Sequence, residues 1–237
     1  MSDDRLYFRQ LLAGRDFAAG DPIATQMRNF AYLVGDRETG DCLVVDPAYA
    51  AGDLVDTLEA DGMHLSGVLV THHHPDHVGG EMMGFSLKGL AELLERVSVP
   101  VHVNSHEVQW VSRVTGIATG DLTSHDHGDK VTFGAIDIEL LHTPGHTPGS
   151  QCFLLDGNLI AGDTLFLDGC GRTDFPGGDS DEMYRSLQKL AALDGDPRVY
   201  PGHWYSEQPS CTLSTVRRTN YVFRPKSLEQ WQAMMGG

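Results

Sequence analysis

Short apolar runs separated by turn residues divide most of this chain into strand-like pieces, with a few helical stretches between them. Phe30-Ala31-Tyr32-Leu33-Val34 and Cys42-Leu43-Val44-Val45 read as a hairpin around the turn-rich residues 35–40. Leu54, Leu58 and Met63 mark a short helix, and residues 67–71 a further strand. Beyond Gly80, Leu87, Leu90, Ala91 and Leu94 recur at helical spacing and predict an amphipathic helix. Val101-His102-Val103 reads as strand, residues 107–114 as helix, and residues 117–129, which have no strong period, as loop. Residues 131–133 with 136–141, and 151–155 with 159–161, form two more hairpins, the latter turning at Asp156-Gly157-Asn158. Asp179 is placed to N-cap a helix, with Glu182 in the capping-box position; Met183, Leu187, Leu190 and Ala191 give that helix one apolar face, and Gly195 stops it. Val199-Tyr200 is a short strand, and helices follow at residues 213–220 and 227–235. The two halves share one order, hairpins followed by a strand and a helix. That predicts two β-sheets packed face to face with helices outside. The expected division is a catalytic domain over residues 1–206 and a small helical cap over 207–237.

The chemistry gathers where these strands end. After Val68-Leu69-Val70 the chain reads Thr71-His72-His73-His74-Pro75-Asp76-His77, so His72, His74, Asp76 and His77 offer metal ligands within six residues. His72 and His74, two apart on extended backbone, can point the same way, which sends His73 away from them. Pro75 and Gly79-Gly80 then bend the chain. Imidazole and carboxylate suit Zn²⁺, and also Fe or Mn. Three more strand ends carry a candidate ligand: His146 in Thr-Pro-Gly-His, Asp163 in Ala-Gly-Asp and His203 in Tyr-Pro-Gly-His. One pocket at the ends of sheet strands explains all of them, and the small Pro-Gly steps let backbone approach an ion closely. Asp46 has two readings: a cap for the segment from Ala48, or a residue behind the loop that orients a histidine. His125-Asp126-His127-Gly128-Asp129 repeats the H-x-H-x-D order, but Gly128-Asp129 marks a turn into the next strand. It reads as a turn.

Composition narrows the partners. The 237 residues carry a formal net charge of −16, a field that repels phosphate backbones and anionic membranes. Neither nucleic acid nor a membrane is an expected partner; a small molecule is, and the oligomeric state stays open. The start Met1-Ser2-Asp3-Asp4-Arg5 lacks the apolar core of a signal peptide, and no run approaches the roughly 18 apolar residues of a membrane span. Cys42, Cys152, Cys170 and Cys211 are scattered without a C-x-x-C, so no disulfide framework is expected and a reducing cytoplasm is the natural location.

Taken together, Val44-Val45-Asp46-Pro47, the histidine loop, residues 143–146, Gly162-Asp163 and residues 201–203 resemble the metallo-β-lactamase superfamily from about Asn29 to His203. Within it the chain looks most like glyoxalase II, the hydroxyacylglutathione hydrolases, through residues 71–80 and 162–166, Gly169-Cys170-Gly171-Arg172 and Pro201-Gly202-His203-Trp204-Tyr205. The resemblance implies an α+β fold, the four-layer αββα sandwich with a metal site at one edge. It implies two divalent ions, zinc before iron or manganese. His72, His74 and His146 would hold one, Asp76, His77 and His203 the other, and Asp163 would bridge. The implied activity is hydrolysis of thioesters of a low-molecular-weight thiol, of the S-2-hydroxyacylglutathione type, by metal-bound hydroxide. Asp76 would also accept a hydrogen bond from that bridging species. Arg172 and Tyr205 would line the groove for the thiol carrier, although Arg172 could instead pair with Asp174.

The run Gly171-Arg172-Thr173-Asp174-Phe175 also looks like the persulfide dioxygenases of the same superfamily, whose single Fe(II) would here sit on His72, His146 and Asp163. Lactone or ester hydrolysis on the same site is a further reading, and a non-catalytic metal-binding module another. The filled second ligand set and the continuation Pro176-Gly177-Gly178-Asp179 favour thioester hydrolysis. Arg217, Arg218, Arg224 and Lys226 stand out against the acidic background, either receiving an anionic substrate or forming a solvated face.

Overall fold

Because strands such as Asp41–Val45 are covered on both faces, their sequences run apolar instead of alternating. The computed structural model describes residues 5–235, and the acidic start read at residues 1–4 lies outside them. The first half contains β1 (Leu6–Leu12), α1 (Pro22–Met27), β2 (Phe30–Asp36), β3 (Asp41–Val45), α2 (Ala51–Ala60) and β4 (His64–Leu69). It continues through the single turn α3 (Pro75–Val78), β5 (Gly80–Met82), β6 (Phe85–Leu87), α4 (Leu90–Arg96), β7 (Val101–Asn104), α5 (Val108–Thr115) and β8 (Leu122–His125). The second half has β9 (Lys130–Phe133), β10 (Ile136–His142), β11 (Gln151–Leu155), β12 (Asn158–Gly162), α6 (Ser180–Ala191) and β13 (Arg198–Pro201). β14 (Cys211–Thr212), α7 (Leu213–Thr219) and α8 (Leu228–Met235) follow.

Two six-stranded sheets form, in the orders β1-β2-β3-β4-β7-β8 and β14-β13-β12-β11-β10-β9. Leu43, Val45 and Leu69 of the first sheet meet Ile138, Leu140, Phe153 and Ile160 of the second in the central core. Val44, Val68 and Val101, on the other face of the first sheet, pack with Leu54 and Leu58 of α2 and Leu90 and Leu93 of α4. Leu159, Ala161 and Val199 of the second sheet pack with Met183, Leu187 and Leu190 of α6 and with Trp231 of α8. The layers run α, β, β, α, as expected. Each large aliphatic side chain withdrawn from water contributes about 1.5–3 kcal/mol, so these three clusters hold the layers together.

The C-terminal segment joins this framework directly. β14 pairs antiparallel with β13, and the Trp231 indole N–H donates to the Ser180 carbonyl at 2.8 Å. Among the described residues no helix is long and apolar enough to cross a membrane.

Strand directions decide where the chemistry lies. β3 and β4 are parallel, and so are β12 and β13. β10 is antiparallel to β11 and β11 to β12, so β10 runs with β12. The segments after β4, β10, β12 and β13 therefore emerge at one edge of the sandwich. Backbone bonds stitch the sheets there: Gln151 N–H donates to Thr71 O at 3.0 Å and Phe30 N–H to Gly202 O at 2.8 Å.

Several expected boundaries change. The stretch 117–129 is not all loop, because Leu122–His125 is the edge strand β8, paired in parallel with β7. Only Leu122 of its four residues is buried, so it shows no apolar period. Leu87 belongs to β6 rather than to a helix, which starts at Leu90, and Met63 lies beyond α2. Asp179 does cap α6, accepting from Asp181 N and Glu182 N, but the Glu182 carboxylate pairs with Arg185. That helix ends at Ala191, before Gly195.

Candidate metal centre

Beyond β4 the chain bends at Thr71 and reaches His74 with extended backbone, and Pro75 at the first helical position starts α3. The loop histidines, His146, Asp163 and His203 meet at the shared edge. One ligand atom each from His72, His74 and His146, and one each from Asp76, His77 and His203, form two groups whose atoms lie within 4.8 Å of one another. In the first, His74 Nδ1 is 3.2 Å from His72 Nε2 and 2.9 Å from His146 Nε2. In the second, His203 Nε2 is 3.3 Å from His77 Nε2 and 3.4 Å from Asp76 Oδ2. Asp163 stands between them, Oδ2 at 3.6 Å from His146 Nε2 and 3.3 Å from His203 Nε2, Oδ1 at 3.5 Å from His77 Nε2. Donors bound at about 2.0–2.1 Å around one tetrahedral ion lie roughly 3.3 Å apart, so both groups fit a divalent ion such as zinc.

The outer hydrogen bonds set which nitrogen faces inward. His146 Nδ1 donates to Arg172 O at 2.6 Å and His203 Nδ1 to Met27 O at 2.9 Å, which leaves each Nε2 with a free electron pair. The Thr71 hydroxyl donates to Asp46 Oδ2 at 2.6 Å, so its bond to His72 at 3.0 Å must be donated by His72 Nδ1. Asp46 also accepts from Thr71 N at 2.8 Å and meets His77 Nδ1 at 2.9 Å. Of its two readings, the one behind the loop is correct, and Asp46 reaches both groups at once. Asn29 Nδ2 donates to Asp76 Oδ2 at 3.1 Å, held in turn by the Tyr49 hydroxyl at 2.9 Å.

Charge follows the same division. Burial holds His72 and His146 below the ordinary imidazole range, and burial with His146 nearby lowers His74 to about 3. Burial also opposes protonation of His77, but Asp163, Asp76 and Asp46 outweigh it and raise that histidine to about 10. His203 is raised in the same way, chiefly by Asp163. Asp76 and Asp163 are held below the usual carboxylate range despite burial, by His77 and His203. Asp163 Oδ1 is buried without a hydrogen-bond partner among the described residues. An acceptor in that position is costly unless a cation meets it. The donor set therefore fits two divalent ions, whose entry would release the proton held on His77.

His73 points away from the centre, as its place on extended backbone requires. Its Nδ1 meets Glu107 Oε1 at 2.6 Å and its ring stacks on Trp110 at 4.8 Å. The sequence reading missed Glu107, which also accepts from His73 N, the Thr147 hydroxyl and Gly149 N at 2.8, 2.9 and 2.7 Å. It thereby ties the histidine loop to the loop of His146. His73→Ala is expected to leave metal content unchanged while costing about 1–3 kcal/mol of stability from the lost bond to a buried acid; elemental analysis and a denaturant melt check it. Gly202 makes the opposite prediction. A Cβ there would lie 2.2 Å from Asp163 Oδ1, so Gly202→Ala should displace that carboxylate and lower metal content with little change in far-UV circular dichroism.

The centre opens into a cleft of about 640 Å³ whose wall includes Met82, Met83, Trp110, Arg113, Phe175 and Tyr205. Tyr205 stacks on His203 at 4.7 Å. Arg172 reaches the same wall with its guanidinium over Phe175, but Nε and Nη2 bind Asp174 at 2.9 and 2.6 Å. Arg217, Arg218 and Lys226 line a separate surface hollow that shares no lining residue with the cleft. His125 ends β8, and the turn after it is closed by Asp126 N donating to Asp129 Oδ2 at 2.9 Å.

Known proteins resemble the chain over most of its length. A probable polyketide biosynthesis zinc-dependent hydrolase, BaeB of Bacillus velezensis, is 30% identical over 205 residues, 86% of this chain and 85% of its own length. The hydroxyacylglutathione hydrolase of Aeromonas salmonicida is 37% identical over 206 residues, 85% of this chain and 69% of its own. Among solved structures, ETHE1 from Myxococcus xanthus superposes with a TM-score of 0.79 at 28% identity, over 98% of this chain and 90% of that one. Residues 24–203, from α1 to the last histidine of the centre, match the metallo-beta-lactamase superfamily, and the chain belongs to it.

Proposed function

We propose that this protein is a cytoplasmic dimetal hydrolase that cleaves thioesters of a low-molecular-weight thiol, of the S-2-hydroxyacylglutathione type. The observation that carries the reading is Asp163, one carboxylate placed between two complete groups of donors. His72, His74 and His146 would hold one ion and Asp76, His77 and His203 the other, with Asp163 serving both. Two such ions, zinc by the likeness to a zinc-dependent hydrolase, supply a water-derived nucleophile at neutral pH and polarise the thioester carbonyl. The 37% identity to a hydroxyacylglutathione hydrolase supports the substrate class.

The protein's own part is positioning. Asn29 and Tyr49 fix Asp76, Asp46 fixes His77, and main-chain carbonyls fix His146 and His203. Tyr205 and Phe166, which meet edge to face at 5.4 Å, wall the centre on the His203 side. A thiolate leaves readily, so no side chain has to protonate it. The competing reading is one iron on His72, His146 and Asp163 acting on a persulfide, and it leaves Asp76, His77 and His203 without a task.

Metal content per chain, measured beside hydrolysis of S-lactoylglutathione and oxygen uptake with glutathione persulfide, decides between them. Two ions per chain with thioester hydrolysis is the expected result. One iron per chain, with oxygen uptake and no hydrolysis, would overturn the proposal.

A further inference from the structure

Two arginines line the cleft, and they are not equivalent. Arg172 has two nitrogens bound to Asp174. Arg113, exposed on the last turn of α5, has no carboxylate partner among the described ion pairs; its guanidinium instead lies 5.2 Å from the centre of the Trp110 ring. Trp110 stacks on His73, and Glu107 holds His73 from behind. The stack runs from the metal loop outward and ends in a cation. A guanidinium held against an indole keeps its planar edge of N–H donors available, the edge that grips a carboxylate in a bidentate way. The chain has 33 acidic and 17 basic residues and Glu81 stands in the same wall, yet no described ion pair takes up Arg113. The last turn of a helix favours any cation, but that preference does not require the arginine to face the cleft beside Trp110.

We infer that Arg113, and not Arg172, receives a carboxylate of the thiol-bearing half of the substrate and is the specificity-determining residue for an anionic thiol carrier. The word substrate rests on the thioesterase reading, in which the 2-hydroxyacyl half is neutral and the thiol half carries the charge. Trp110 serves as the platform on which Arg113 is oriented.

The test uses the metal-loaded protein and two non-hydrolysable thioethers, S-hexylglutathione and the neutral S-hexyl-N-acetylcysteamine, titrated by calorimetry. Arg113→Gln should reduce the preference for the anionic over the neutral ligand by about 10-fold, the usual scale for one charge-assisted pair. Arg113→Lys should recover part of it, and Arg185→Gln, on the surface of α6, controls for loss of charge alone. The same preference should appear in KM for S-lactoylglutathione against S-lactoyl-N-acetylcysteamine. An unchanged preference in Arg113→Gln overturns the inference. So does a 10-fold loss in Arg172→Gln instead, or failure of the unaltered protein to bind S-hexylglutathione. Tight binding of S-hexylglutathione that depends on Arg113, without hydrolysis of either thioester, would reject the thioesterase reading and leave the inference standing. Hydrolysis with no role for Arg113 would do the reverse.

Discussion

Asp163→Ala is expected to leave fewer than two ions per chain and to lower turnover by at least about 10²-fold. The residue is the anion common to both donor groups, with His146, His77 and His203 converging on its two oxygens at 3.3–3.6 Å. Without it, five imidazoles converge with Asp76 in the centre and Asp46 behind His77 as the nearby carboxylates. Changes to groups that merely orient a ligand already cost roughly 10- to 100-fold, and a shared ligand must cost more. The fold itself should survive, because Asp163 lies beyond the end of β12 and outside the three apolar clusters. Elemental analysis and a rate measurement on the folded variant check this. Full metal and full activity would show that the ligands have been assigned wrongly.

His77→Ala separates one ion from two. On the dimetal reading it leaves the second ion Asp76, His203 and the shared Asp163, so stoichiometry should fall towards one. kcat should then drop by about 10²-fold or more, if generating the nucleophile is the dominant contribution. The structure adds a second route for the loss, because His77 is also a partner of Asp46, whose other oxygen holds Thr71 beside His72. On the mononuclear iron reading His77 is an outer residue, the metal count stays at one, and roughly 10- to 100-fold is the ceiling. Unaltered stoichiometry with near-normal hydrolysis would exclude the dimetal enzyme.

That His146, Asp163 and His203 come to the same edge as the histidine loop was legible because each lies just beyond a strand, and strand ends announce themselves through turn residues such as Pro144-Gly145 and Pro201-Gly202. The orientation of His73 was legible because it follows from extended backbone alone. The residues that orient the ligands were harder to see. Glu107 bonds to residues 34, 40 and 42 positions away, and at the head of α5 it reads as an ordinary helix start. Asp46 kept two readings because its choice depends on Thr71 and His77, which only the parallel pairing of β3 and β4 brings beside it. α1 carries a readable start that was overlooked: Asp21 accepts from Ile23 N and Ala24 N, and Pro22 follows it. The edge strands β1 and β8 were passed over because each is only partly buried, so neither shows a clean alternation.

The stitched edge has a thermodynamic meaning as well. His72, His74, Asp76 and His77 arrive from the first sheet, His146, Asp163 and His203 from the second, and neither sheet alone holds either donor group complete. An ion bound by that arrangement is a clasp, and it favours the state in which the two halves are docked. A ligand present at a thousandfold excess over its Kd adds about 4 kcal/mol to the stability of the form that binds it. For a chain of this size that corresponds to roughly 8–16 °C in Tm. Chelation should therefore lower the melting temperature by that amount, and Asp163→Ala, which loosens the clasp from both sides, should melt at nearly the same temperature with or without the chelator.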